Sequence, residues 1–249
     1  MATVPDSMRD EHAQLRAELE QRENQVSEKE RQLERYAADL RETFKSERAR
    51  TRELQVSYVA TVRALTNAVE ARDAYTGKHA ERVTAYALEI ARALDSSLAA
   101  DQGVEFGFLL HDVGKVAVPD SILHKPESLS APERELMESH AVIGWEILEG
   151  IAFLEPAREV VRWHHERWDG SGYPDGLAGE RIPLSARVFA PADALDAITT
   201  LRPYRQASSL VEARERIAAS AGTQFDPAAV EALLSIDDAT LERIRREHE

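Results

Sequence analysis

Residues 109–115 read Leu109-Leu110-His111-Asp112-Val113-Gly114-Lys115, an adjacent histidine and aspartate at the end of an apolar run, followed by glycine and lysine. Outward from this doublet, His79 precedes it, His140 and the adjacent pair His164-His165 follow it, and Asp193 comes last. Five of the eight histidines therefore fall in one ordered series with aspartates, which packing alone does not produce. Imidazole and carboxylate are nitrogen and oxygen ligands that suit iron, manganese, zinc or nickel, and seven of them exceed what one ion usually takes. The count points to two metals.

The chain has 249 residues, enough for one substantial domain and an extension. Its formal charge of −14 argues against broad binding to nucleic-acid phosphates, so an anionic ligand needs a local pocket of metals, Lys and Arg. Without cysteine there is no disulfide, thiolate ligand or cysteine nucleophile. No apolar run approaches the roughly 20 residues of a membrane span, and the polar N-terminus does not read as a secretory signal. The expectation is a soluble, cytoplasmic protein.

From Asp6 to Tyr75 there is no glycine or proline, and charges of both signs are mixed, which predicts one long helix. Leu19, Val26, Leu33 and Leu40 recur every seven residues, and the seam then steps by four to Phe44, Thr51, Tyr58 and Leu65. So narrow a seam predicts a parallel homodimeric coiled coil over residues 1–60. The alternative is a lone charged helix, because Arg22 and Lys29 interrupt the inner positions. Residues 61–249 carry thicker apolar faces, as in Val83, Tyr86, Ala87, Ile90, Ala91 and Leu94, and in Leu136, Met137, His140, Ile143, Ile147 and Leu148. Ser130 with Glu133 and Ser209 with Glu212 have capping-box spacing, and Asp226-Pro227 reads as a helix start. Alternating strands are missing. The fold class is all-α, with one long loop from Asp169 to Pro183.

Longer words sharpen the reading: His164-His165-Glu166-Arg167-Trp168-Asp169-Gly170-Ser171-Gly172-Tyr173-Pro174, then Arg202-Pro203-Tyr204-Arg205, then Gly222-Thr223-Gln224-Phe225-Asp226-Pro227. With the doublet and Asp73-Ala74-Tyr75-Thr76-Gly77-Lys78-His79, they make most of the chain beyond residue 70 resemble the HD-GYP family. These are HD-domain metal phosphohydrolases that cleave cyclic dinucleotides, chiefly cyclic di-GMP, in bacterial signalling. The resemblance implies an HD-domain-like helical bundle behind the N-terminal helix. It implies one metal held by His79, His111, Asp112 and Asp193, and a second held by His140, His164 and His165, with Asp112 bridging. Iron or manganese is the expected metal, while zinc, nickel and cobalt fit the same groups. Hydrolysis to pGpG or GMP would proceed by attack of a hydroxide shared by the two ions. Asp112 and Lys115 are the expected catalytic residues, and Lys115, Arg202 and Arg205 the expected substrate contacts.

Gly114 is expected to give a ligand room to approach, Gly172-Tyr173-Pro174 to shape the pocket loop, and Glu166 and Asp169 to orient histidines. His12, His124 and His248 are expected at the surface. Three-metal members of the family carry glutamate four residues before the first histidine, where this chain has Tyr75; that departure implies two metals. Besides cyclic di-GMP hydrolysis, the same residues suit another cyclic dinucleotide or nucleotide, or a silent metal-binding scaffold. A separate signalling protein is the expected regulator.

Overall fold

The computed structural model describes the backbone of residues 6–72, 78–200 and 207–248, and side chains from residue 12 onward. The chain divides into two compact units, residues 1–58 and 59–249. Helix α1, Asp6–Glu70, runs through both. It stops five residues short of Tyr75, in a turn where the Ala71 and Arg72 amides donate to the Asn67 and Val69 carbonyls. In the first unit the heptad residues face solvent; Leu33 is 66% exposed and Leu40 58%. In the second unit the last turns of α1 bury Val62 and Thr66, not Leu65, which stays 44% exposed.

Eleven further α-helices follow among the described residues: α2 His79–Leu94, α3 Ser96–Ala100, α4 Gln102–Leu110, α5 Asp120–Leu123, α6 Ala131–Glu138, α7 His140–Ile147, α8 Glu155–Trp163, α9 Leu184–Thr199, α10 Leu210–Ala219, α11 Pro227–Ser235 and α12 Asp238–Glu247. No strand occurs among the described residues beyond a single bridge between Ala221 and Phe225. No helix described is long and apolar enough to cross a membrane. Local chemistry sets the boundaries. Ser130 with Glu133 and Ser209 with Glu212 form the expected capping boxes, and Asp226 caps α11 ahead of Pro227. Asp101 likewise caps α4, which ends in the doublet.

The core forms where α2 packs on α9 and α11, and α4 on α8. Val83, Ala87 and Ile90 of α2 are fully buried, as are Val188, Phe189 and Leu195 of α9. Phe108 of α4 stacks on Phe189 with ring centroids 5.6 Å apart. Burying side chains of this size stabilises the fold by about 1.5–3 kcal/mol each.

The apolar run from Leu136 to Leu148 forms two helices, because Ser139 breaks it between α6 and α7. Leu136 and Ile147, expected in the core, are 50% and 41% exposed. The break puts His140 at the start of a new helix.

Candidate metal centre

Helix ends converge on the site. His79 opens α2, His111 caps α4, His140 opens α7, and His164 caps α8 with His165 next to it; α9 supplies Asp193 from its interior. Side chains at helix ends can reach a common centre without disturbing the packed helix bodies.

Two ligand groups result. Asp112, His140, His164 and His165 each offer an atom within 4.8 Å of the others, and His79, His111 and Asp193 do the same. Asp112 faces both. Its Oδ2 lies 3.1 Å from His111 Nε2, and its Oδ1 lies 3.4 Å from His140 Nε2 and 3.9 Å from His164 Nε2. All seven residues read from the ordered series are thus brought together.

The ring orientations test whether this set fits metal ions. The Nδ1 atoms of His111, His140 and His164 lie 2.7–2.9 Å from the carbonyls of Phe108, Met137 and Val161, each three residues earlier. A carbonyl accepts only, so each Nδ1 carries the proton and each Nε2 turns a lone pair inward. His140 Nε2 and His164 Nε2 then face each other at 3.4 Å. Two lone pairs at that distance repel, whereas a cation between them satisfies both. The donor set fits a metal.

Electrostatics agree. Burial pushes His165 down to about 3 and holds His164 well below its usual value, and it also lowers His140 against the pull of Asp112. Neutral rings are the ligating form. Burial opposes charge on His111 too, but there Asp112 and Asp193 win and raise it, so this corner favours a cation. Asp112 is buried, yet Lys115, His111 and His140 hold its carboxyl well below the usual range.

His79 is oriented differently. Its Nδ1 lies 2.7 Å from Oδ2 of Asp196, whose Oδ1 accepts from Arg82 Nε at 2.7 Å. Asp196 is 1% exposed and Arg82 5%. Burial would raise the Asp196 carboxyl, but hydrogen bonds from His79 and Arg82 bring it down to about 2. The Ala80 amide, next to His79, donates to Glu70 at the end of α1.

Lys115 follows the doublet in a 3-10 turn, Val113–Ala117, rather than on a continuous α-helix. Its Nζ rests 2.8 Å from Asp112 Oδ2. Arg72 braces this turn from the end of α1, donating to the carbonyls of Lys115, Val116 and Val118 at 2.6–3.3 Å and to Asp120 at 2.7 Å.

Three expectations need correction. Gly114 does not face a ligand: a Cβ there would fall 1.9 Å from the His140 carbonyl oxygen and 2.6 Å from the Gly144 nitrogen. Glycine lets the doublet turn pack directly on the backbone of α7. Glu166 and Asp169 do not orient histidines. Glu166 accepts the Asp175 and Leu177 amides and so shapes the loop, while Asp169 binds Ser171 and Arg167. His248 is half-buried rather than exposed, with its carbonyl accepting from Arg82; His12 and His124 are exposed as expected. Arg202, Arg205 and Tyr75 lie outside the described residues.

Gly172 allows another close approach, since a Cβ would fall 2.4 Å from the Arg167 nitrogen. Tyr173 then lays its ring on His165, with centroids 4.7 Å apart. A cleft of about 590 Å³ opens beside the centre, lined by His164, His165, Tyr173 and Asp193 together with Arg216 and Gln224. Its size is within the range of small-molecule sites. Asp112 and Lys115 instead line a cavity of about 20 Å³ with His79 and Glu70.

Comparison with known proteins gives this arrangement a family. The HD domain model matches residues 63–229, and the chain belongs to the HD-domain family. Its HD-GYP resemblance is borne out by the curated relatives. The chain is 43% identical over 172 residues to the 3'3'-cGAMP-specific phosphodiesterase 2 of Vibrio cholerae, covering 68% of this chain and 33% of that protein. It is 43% identical over 176 residues to the cyclic di-GMP phosphodiesterase response regulator RpfG of Xanthomonas campestris, covering 70% and 47%. To a cyclic di-GMP phosphodiesterase of Thermotoga maritima it is 39% identical over 180 residues, covering 72% and 49%. The matched regions span only a third to a half of these relatives. The fold is also that of the crystal structure of a cyclic GMP-AMP specific phosphodiesterase of V. cholerae, V-cGAP3, with a TM-score of 0.53 at 22% identity, over 74% of this chain and 52% of that one.

Proposed function

We propose that this protein is a metal-dependent phosphodiesterase that opens cyclic di-GMP to pGpG, to GMP, or to both. The observation that carries the reading is Asp112, whose two oxygens face different histidine groups and so suit it to serve two ions. His79, His111, Asp112 and Asp193 would hold one ion, and Asp112, His140, His164 and His165 the other. Bound iron or manganese, both suited to this nitrogen and oxygen donor set, would lower the pKa of water and offset charge that develops on phosphoryl oxygens. The protein's own share is orientation: carbonyls and Asp196 fix the rings, Tyr173 covers His165, and Lys115 adds a cation beside Asp112. Arg202 and Arg205 are proposed to hold substrate phosphates, compensating locally for the acidic chain.

A second reading, a mixed cyclic dinucleotide as substrate, is favoured by the V. cholerae relative named for 3'3'-cGAMP. Residues 1–60 are proposed to pair as a parallel coiled coil and to relay a signal from a partner protein to the catalytic domain, 61–249, in the cytoplasm. Hydrolysis of a cyclic dinucleotide panel by metal-loaded protein, with product analysis, tests the reading. Cleavage of cyclic di-GMP supports it; metal-loaded protein that cleaves none of the panel refutes it.

A further inference from the structure

Part of the cleft wall is built by α10 and the turn after it. Arg216 of α10 and Ser220, the residue that ends the helix, stand four residues apart and both line the cleft, beside the buried Ile217. The Ser220 carbonyl accepts the amides of Thr223, Gln224 and Phe225 at 3.0–3.2 Å, and Gly222, at φ 77°, donates its amide to the Phe225 carbonyl. This folds the chain back and brings Gln224 to the cleft near Arg216. The turn is tied to the segment after the histidine pair, because the Trp168 amide donates to the Gln224 carbonyl at 3.1 Å and the Asp169 amide to the Thr223 carbonyl at 2.8 Å. The two polar side chains are thereby held on the same framework as His164 and His165.

Neither the Arg216 guanidinium nor the side-chain amide of Gln224 has a hydrogen bond or ion pair among the described residues. Ile198, Ile217 and Ala194 give the same stretch of cleft an apolar lining. An apolar lining with a planar donor group suits a flat heterocycle. Arginine only donates, and guanine offers two acceptors, O6 and N7, on one edge; adenine replaces the first with an amino donor that faces arginine unfavourably. We propose that Arg216 reads the O6/N7 edge of a substrate guanine, with Gln224 beside it, making this part of the cleft a guanine subsite. The inference rests on the reading of the protein as a cyclic dinucleotide phosphodiesterase.

The test compares metal-loaded full-length wild type with Arg216→Ala and Arg216→Lys on cyclic di-GMP, cyclic di-AMP and bis(p-nitrophenyl) phosphate, a diester without a base. The ratio of kcat/KM for cyclic di-GMP to that for the base-free diester should fall about tenfold or more in Arg216→Ala, the size of one bidentate arginine–guanine contact. Lysine should restore it at most in part, since it keeps donors for the same edge but loses the planar fork, and the corresponding cyclic di-AMP ratio should hold. An equal loss on both dinucleotides would mean a charge contact with phosphate and would overturn the proposal, as would an unchanged ratio. Wild type that cleaves the base-free diester but no cyclic dinucleotide would instead defeat the substrate reading, and the subsite with it.

Discussion

Asp196 holds His79 by its Nδ1 at 2.7 Å while Arg82 holds the other carboxylate oxygen at the same distance. The aspartate keeps the ring proton on Nδ1, so the Nε2 lone pair turns toward Asp193, 3.5 Å away. Asp196→Asn can donate to Nδ1 and so favours the wrong tautomer. Metal affinity should fall 10- to 100-fold by metal titration. Thermal stability should also drop, because Arg82 loses a buried partner, a change that typically costs about 3–5 kcal/mol. Unchanged metal affinity in a folded variant would remove this role.

Gly114 and Gly172 are both places where one backbone lies against another. Gly114→Ala drives a methyl into the His140 carbonyl, so the doublet turn must shift away from α7. A loss of about 1–3 kcal/mol or more in denaturant unfolding is expected, together with weaker metal binding, because His140 and Asp112 separate. Gly172→Ala should loosen the Tyr173 stack on His165 in the same way. A variant as stable and as well loaded as wild type would show that the backbone accommodates the methyl.

Arg72 joins α1 to the turn that carries Lys115. Its bonds to three carbonyls are part-buried or exposed, so Arg72→Ala should lower stability by roughly 0.5–1.5 kcal/mol, the net worth of a typical hydrogen bond. It should also slow hydrolysis, since the turn positions Asp112 and Lys115. Lysine, without the fork, should recover little. Full activity in Arg72→Ala would uncouple α1 from the doublet.

The exposed seam of α1 leads to a test of assembly. Leu33→Cys in the otherwise cysteine-free chain should form a disulfide between two chains, as a parallel in-register pair requires. Light scattering should show the full-length protein as a dimer at micromolar concentration, and removal of residues 1–50 should weaken association while sparing metal binding. A monomeric full-length protein, or absence of cross-linking, would contradict the paired helix.

The ordered histidines were legible in the sequence because ligand chemistry restricts residue type, and their order survives folding. The helices were legible where apolar spacing and capping agreed, as at Ser209 and Asp226. Asp196 was missed, although Asp193 and Asp196 at three-residue spacing share a face of α9 and His79 and Arg82 have the same spacing on α2. That signal is weak until both helices are known to pack together. Gly114 was assigned to the ligand because a sequence does not show which side of a glycine meets another backbone. Ser139 broke an apolar pattern that itself continued through it, so the split between α6 and α7 left no trace in periodicity.

Asp112 is proposed to unite two ions into one catalytic site. Titrating metal-free protein with manganese while following both bound metal and cyclic di-GMP hydrolysis tests it most directly. Binding should saturate at about two ions per chain, with turnover rising as the second ion binds, and Asp112→Ala should lose both metal and turnover while keeping its helical content. Full turnover with one ion bound, or undiminished metal and activity in Asp112→Ala, would show that Asp112 does not join two ions.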